Sequence, residues 1–89
     1  MSRINPHSFL TDAAAIIGER GHDYGGVEDN FQTAADIANA VLGRALTPYD
    51  VSMILAAVKL ARMRTSPDKR DNYLDCVNYL AFAADLRRG

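Results

Sequence analysis

The sequence predicts an all-α fold, a compact antiparallel bundle of four helices that occupies residues 1–89 as a single domain. Three observations support this prediction. Apolar residues recur at spacings of three and four, without the period-two alternation of a half-buried strand. Glycine, proline and capping residues divide the chain into four segments of helical length. The links between these segments are short, and short links favour antiparallel neighbours in a helical bundle.

The first helix is predicted over residues 8–20, where Phe9 and Ala13 begin an apolar stripe at four-residue spacing. Gly21 follows the last periodic residue and is predicted to end this helix. Residues 21–27 read GHDYGGV, with three glycines in seven positions. We expect a loop here, and its backbone can approach a ligand closely where there is no side chain.

The other three helices are predicted over residues 28–42, 48–64 and 71–87. The third has the clearest start. Thr47 is a good N-cap, and Asp50, three residues later, can accept a hydrogen bond from the N-cap backbone. The acidic residues at the start of the second helix complement the helix dipole.

The apolar content sets expectations for the core and for self-association. The side chains predicted to face inward from the third helix are Val51, Ile54, Leu55, Val58 and Ala61. A chain of 89 residues buries only a modest core by itself. We therefore expect a homo-oligomer, a dimer or a larger assembly.

Charge and cysteine content exclude several classes of protein. The net charge of -1 produces no broad field that would attract nucleic acid or an anionic membrane, so neither partner is expected. The apolar runs are far shorter than the ~18 residues of a membrane span, and a cytoplasmic protein is expected. The single cysteine, Cys76, lies on an apolar helix face and is predicted to be a small buried hydrophobe.

Two carboxylates four residues apart, Asp71 and Asp75, lie on one face of the fourth helix and require a cation between them. One interpretation is an ion pair across the helix interface with Lys59 or Arg62 on the antiparallel third helix. The other is a Mg²⁺ site in which Asp29, Asp71 and Asp75 are ligands, because magnesium prefers carboxylates and commonly binds together with substrate phosphates. Lys59 and Arg62 would then bind the phosphate oxygens.

Four further side chains are candidates for binding a nucleotide. His22 and Tyr24 lie in the glycine-rich segment, where Tyr24 could stack on a base or instead close the end of the bundle. Asn30 is placed to contact base or sugar, and Asn78 shares the helix face of Asp75. A lone loop histidine such as His22 is more often simply solvated.

Several short motifs together resemble a family of small phage proteins. The motifs are RGHDYG at 20–25, Asn30-Phe31, TPYDV at 47–51, KLAR at 59–62, and the spaced residues Asp71, Asp75 and Tyr79. Members of this family are often described as MazG-like, and they look like a compact, distant version of the all-α nucleoside triphosphate pyrophosphohydrolases. A phage protein of this kind would be expected in the host cytoplasm.

The resemblance to MazG-type enzymes implies a chemistry. Those enzymes are helical oligomers that hold Mg²⁺ with E-x-x-E and E-x-x-D motifs and release pyrophosphate from a nucleotide. By this resemblance Asp75 and Asp71 would be the catalytic acids, and Asp75 matches the aspartate of the later motif. The chain departs from the pattern in having Asn72 where the later motif has glutamate, and in having no E-x-x-E. Asp29 stands where the phage family usually has glutamate.

Two functions therefore stay open. One is a Mg²⁺-dependent pyrophosphohydrolase that converts a nucleoside triphosphate to the monophosphate and pyrophosphate. The other is a non-catalytic nucleotide-binding protein that sequesters a nucleotide, for instance a signalling nucleotide of host defence. The thin set of acidic residues favours the second, which needs a basic, aromatic-lined pocket and no metal. A helical module that binds only protein is the third interpretation.

Overall fold

The computed structural model describes residues 5–23 and 26–88, and it contains four helices and no strand within those residues. The helices are α1 (Pro6–Asp23), α2 (Val27–Leu42), α3 (Pro48–Thr65) and α4 (Arg70–Arg88). The all-α class and the number of helices are confirmed, and the bounds of α2, α3 and α4 lie within one residue of those predicted. The oligomeric state stays a prediction.

The first helix is longer than predicted at both ends. It begins at Pro6, because the Asn5 side chain accepts a hydrogen bond from the Ser8 backbone N–H at 2.8 Å and so caps the first turn. The prediction that Gly21 ends this helix is wrong, since α1 continues to Asp23. Glycine weakens a helix interior by only about 1 kcal/mol, and such a propensity is readily overridden by context. Residues 21–23 of the predicted loop therefore belong to α1, and Val27 begins α2.

The antiparallel pair α3 and α4 forms the centre of the molecule. The Ser52 hydroxyl donates a hydrogen bond of 2.6 Å to the Tyr79 carbonyl, and the Cys76 thiol lies 3.7 Å from the Ala56 carbonyl. Ser52 and Ala56 are buried, and such small side chains let the two helix backbones approach closely. Cys76 is buried, as predicted, and burial raises the pKa of its thiol.

The face of α3 predicted to lie inward is only partly correct. Leu55 is half-buried, but Ile54 is 50% exposed and Val58 is also exposed. The helix is apolar around most of its circumference, so hydrophobicity alone does not identify its inner face. The small residues Ser52 and Ala56 take the position against α4 because they permit the closest approach.

The first two helices flank this central pair, α2 against α3 and α1 against α4. Arg70 joins α4 to α1, with its guanidinium 2.6 Å from the Asp12 carboxylate and 5.5 Å from the centroid of the Phe9 ring. Eight residues further along α4, Asn78 contacts Ala13. These contacts join α1 to the first half of α4. The antiparallel order predicted for the bundle is observed for α3 and α4.

None of the described helices combines the length and the apolar character that spanning a membrane requires.

Candidate functional site

A cleft of about 480 Å³ lies between α1, the beginning of α2 and one face of α4. Its volume falls in the range of small-molecule sites, which are typically apolar with a few well-placed polar groups. The lining residues come from all three helices and the residue before α2: Ile16, Ile17, Gly26, Val27, Asn30, Phe31, Asp75, Asn78, Tyr79 and Phe82.

Four of these residues lie on one face of α4. Asp75, Asn78, Tyr79 and Phe82 follow the spacing i, i+3, i+4, i+7, which aligns side chains along a single helix face. The polar members are nearer the start of α4 and Phe82 is nearer its end. The α4 side of the cleft is therefore polar near the start of the helix, with a carboxylate and an amide, and aromatic nearer its end.

An aromatic cluster forms the apolar side of the cleft. Phe31 is buried, and its ring centroid lies 6.0 Å from that of Phe82 in an edge-to-face arrangement and 6.5 Å from that of Tyr79. These separations are typical of favourable aromatic pairs. Ile16 and Ile17 of α1 add aliphatic surface. A flat, weakly polar group such as a nucleobase could be held against these side chains.

The ion pair predicted between the third and fourth helices is present. The ammonium of Lys59 lies 2.9 Å from the carboxylate of Asp75, and the two side chains are only 16% and 19% exposed. Asp75 reaches the cleft, whereas Lys59 is not among its lining residues. None of the described lining residues is basic, so the expectation of a basic pocket is wrong for this cleft. Lys59 thus compensates the charge of Asp75 from behind and fixes its carboxylate at the cleft wall.

Two amides complete the polar part of the cleft. Asn78 is 95% buried, and its amide nitrogen donates a hydrogen bond of 3.0 Å to the Ala13 carbonyl, which fixes its orientation. Asn30 lies across the cleft on the first turns of α2 and is exposed, so it is free of the packing that constrains Asn78. One amide is therefore preorganised and the other is accessible.

The N-terminus of α2 also borders the cleft, through Gly26 and Val27. Gly26 is the N-cap residue and has no side chain that could accept a hydrogen bond from the first-turn amides. Such amides carry partial positive charge and bind anions readily. Glu28 and Asp29 share this first turn.

The structure brings together some of the predicted site residues and separates others. Asp75, Asn78 and Asn30 line one cleft, and Lys59 contacts Asp75. Two others do not join them. Asp71 and Arg62 are exposed, and neither lines the cleft or forms a salt bridge with a described residue.

The predicted site residues from the glycine-rich segment fall at the limit of the described structure. The backbone of His22 lies in the last turn of α1, but its side chain is outside the described part. Tyr24 lies outside the described residues altogether. Their predicted roles stay predictions.

The predicted magnesium ligands do not form a cluster. Within residues 5–23 and 26–88, no group of three or more His, Cys, Asp or Glu side chains is placed to hold a metal ion. Asp75 is engaged by Lys59, while Asp71 and Asp29 are exposed. The described residues therefore do not fit a magnesium site built from these three carboxylates.

Sequence reasoning missed the apolar half of the cleft. None of Tyr79, Phe82, Ile16 and Ile17 was predicted to line a binding site. The positions of Tyr79 and Phe82 four and seven residues after Asp75 were the available signal, since they share its helix face. The contribution of α1 carried no such signal, because it depends on how that helix packs.

Comparisons with known proteins agree with the resemblance to small phage proteins. The Gene 55 protein of Mycobacterium phage D29 is 30% identical over 73 residues, which cover 81% of this chain and 48% of that protein. The Gene 55 protein of Mycobacterium phage L5 is 34% identical over 74 residues, which cover 81% of this chain and 47% of that protein. The chain thus spans about half the length of these relatives.

No solved structure matches the chain. A relationship to MazG-type enzymes stays a prediction. The family described as "Domain of unknown function (DUF6378)" matches residues 8–87, nearly the whole chain. The protein therefore belongs to the DUF6378 family, which matches it from the first turn of α1 to the end of α4.

Proposed function

We propose that this protein binds a nucleotide in the cleft between α1, α2 and α4, and that it does so without metal-dependent hydrolysis. The observation that carries the proposal is the composition of the cleft. An aromatic and aliphatic wall adjoins three polar side chains, Asn30, Asp75 and Asn78. Nucleotide sites need this combination, an apolar surface for the base and a few fixed polar groups that recognise its edge.

Each part of the cleft has a role in this proposal. The base lies against the aromatic surface of Tyr79 and Phe82. The Asp75 carboxylate, held by Lys59, accepts hydrogen bonds from exocyclic amino groups of the base or from sugar hydroxyls. Asn30 supplies both a donor and an acceptor. The phosphates lie at the N-terminus of α2 beside Gly26, where backbone amides favour anions.

The arrangement of acidic residues supports binding over catalysis. Magnesium-dependent phosphoryl chemistry needs carboxylates free to coordinate the ion. In the described residues the one carboxylate that lines the cleft, that of Asp75, has its charge compensated by Lys59 at 2.9 Å. Held in this way, Asp75 is suited to recognising hydrogen-bond donors.

A hydrolase is the second candidate, and one observation favours it. The Asp29 carboxylate lies close to Gly26, since a methyl group added at Gly26 would be 3.7 Å from its Oδ2 atom. Gly26 lines the cleft. Asp29 and Asp75 could then provide two carboxylates, in keeping with the roles that the MazG resemblance implies.

Calorimetric titration separates the two candidates. The ligands are the four common deoxynucleoside triphosphates, their ribose counterparts and cyclic nucleotides, each titrated in EDTA and in Mg²⁺ or Mn²⁺, with pyrophosphate release measured on the same samples. Binding in EDTA without pyrophosphate release is the expected result. Metal-dependent release of pyrophosphate would instead establish the hydrolase. If no nucleotide binds under either condition, both candidates are wrong.

A pair of variants on α2 locates the binding site. Asn30→Ala removes an exposed amide of the cleft and is expected to weaken binding by about tenfold, the equivalent of one lost hydrogen bond to a polar ligand. Thr33→Ala changes an exposed residue one turn away that does not line the cleft, and it should leave affinity unchanged. If Asn30→Ala and Thr33→Ala change the nucleotide affinity equally, the ligand does not bind in this cleft.

A further inference from the structure

The outer face of α3 is apolar although no described element covers it. Met53, Ile54, Ala57, Leu60 and Ala61 are all exposed, and Leu60 is 57% exposed. Across the same helix, the residues packed against α4 are the small Ser52 and Ala56. Met53, Ile54 and Leu60 thus lie on the side away from the core, although aliphatic side chains of this size are usually buried in a monomeric domain.

The exposed residues form a regular seam. It comprises positions 50, 53, 54, 57, 60, 61 and 64, which share one helix face through steps of three and four; all are exposed except Asp50, which is half-buried. The middle of the seam is apolar, with Ala57 at its centre. Its first position is Asp50 and its last is Arg64, so the two ends carry opposite charges.

We infer that this seam is the interface of a symmetric homodimer, in which α3 packs antiparallel against α3 of a second copy about a two-fold axis near Ala57. In this register Asp50 of each copy meets Arg64 of the other, and Ile54 meets Leu60. A parallel register would bring the two Arg64 side chains together. Because the axis passes a small residue, the helices can approach closely, and the larger side chains pack on either side of it.

The exposed area of the chain fits a second copy as the occupant. The accessible surface is 6561 Å². A compact monomer of 9.7 kDa typically exposes about 5,100 Å². The excess of about 1,400 Å², which is spread over the chain and includes the cleft, is larger than the roughly 800 Å² that each partner buries in a standard interface. No α3 residue lines the cleft, so this dimer leaves the proposed nucleotide site open.

Molar mass measured by light scattering and by sedimentation velocity tests the interface. The wild type is expected at twice 9.7 kDa at micromolar concentration. Leu60→Gln should raise the dimer dissociation constant by about tenfold or more, as for truncation of a central interface residue. Leu10→Gln is the matched control, because Leu10 on α1 is 54% exposed and lies outside the seam. It should leave the dimer unchanged.

A disulfide trap tests the register separately. Ala57→Cys should form an intermolecular disulfide under mild oxidation, since two helices packed at 8–10 Å bring residues on the axis within the roughly 4.4–6.8 Å between Cα atoms that a disulfide needs. Ala84→Cys, at an exposed position on α4, should not. The wild type is the oxidation control, because its only cysteine is buried.

Three outcomes would overturn the inference. They are a monomeric wild type, an assembly weakened by Leu10→Gln but not by Leu60→Gln, and cross-linking at position 84 rather than 57. Circular dichroism of Leu60→Gln checks that loss of the dimer is not loss of the fold. If the variants weaken the assembly equally, the disulfide trap decides.

Discussion

The α3–α4 hairpin and the α1–α2 end of the molecule differ in how their polar groups are used. At the start of α3, Thr47 and Asp50 form a complete capping box, with Asp50 accepting from the Thr47 N–H at 2.9 Å and Thr47 accepting from the Asp50 N–H at 3.2 Å. At the start of α2, Gly26 offers no capping side chain. One helix start is satisfied within the chain, and the other faces a cleft with its first amides available.

The same contrast holds for packing. The hairpin is joined by small buried residues and by hydrogen bonds between a side chain of one helix and the backbone of the other. At the other end of the molecule, α1 is joined to α4 by long side chains such as Arg70. A cleft of about 480 Å³ remains there between α1, α2 and α4. The closest helix packing among the described residues thus lies in the hairpin, and the cleft lies where packing is incomplete.

The largest effect on stability is expected from Ala56→Leu, which places a larger side chain in the closest contact of the hairpin. Ala56 is 2% exposed and its carbonyl lies 3.7 Å from the Cys76 thiol. Overpacking there should lower the free energy of unfolding by about 3 kcal/mol. Chemical denaturation measures this change in the free energy of unfolding. Ala84→Leu, on the exposed side of α4, should change it by less than about 0.5 kcal/mol. If the two variants are equally stable, the hairpin is not tightly packed.

The next largest effect is expected from Lys59→Met, which leaves the Asp75 carboxylate without its cation at a largely buried position. Breaking a fully buried pair costs about 3–5 kcal/mol, and the partial exposure here reduces the expected loss to about 2 kcal/mol. Adding Asp75→Asn to Lys59→Met should recover most of the loss, which a double-mutant cycle of thermal melts will quantify. Arg62→Met is the control. A simple sum of the single effects would mean that the pair contributes nothing.

A smaller effect is expected from Thr47→Ala, which removes the cap of α3. The loss should be about 1 kcal/mol, the usual cost of replacing a threonine N-cap with alanine. For a chain of 89 residues this corresponds to a fall of roughly 4–8 °C in melting temperature. Thr11→Ala, whose hydroxyl donates to the His7 carbonyl within α1, should cost less. The reverse ranking would show that the α3 cap is not a source of stability.

The hairpin was more predictable from the sequence than the cleft. The capping box is local, since Thr47 and Asp50 are three residues apart. The Lys59–Asp75 pair follows from the spacing of charges on two helices joined by a short link. The inner face of α3 was not predictable from apolar periodicity, because the determining residues, Ser52 and Ala56, are neither large nor strongly hydrophobic.

The cleft depends on the packing of helices that are distant in the sequence. Asn30, Asp75 and Asn78 were identified individually from their residue types and their helix positions. Ile16 and Ile17 join them because α1 packs against α4, and the contacts of Arg70 and Asn78 hold the two helices together. Neither contact is marked by a local pattern in the sequence.

The smallest effect on stability, and the sharpest test of the comparison, is expected from Gly26→Ser. The residue has φ -76° and ψ 134°, a conformation open to any residue, and an added Cβ would be 3.7 Å from the nearest atom. Serine should therefore cap α2 and raise the free energy of unfolding by a few tenths of a kcal/mol. If the α2 amides bind phosphate as proposed, the new hydroxyl will compete for them, and affinity for a nucleoside triphosphate should fall while that for the nucleoside stays the same. Calorimetric titration of both ligands measures this difference. If Gly26→Ser stabilises the protein and leaves both affinities unchanged, the phosphates do not bind at the start of α2.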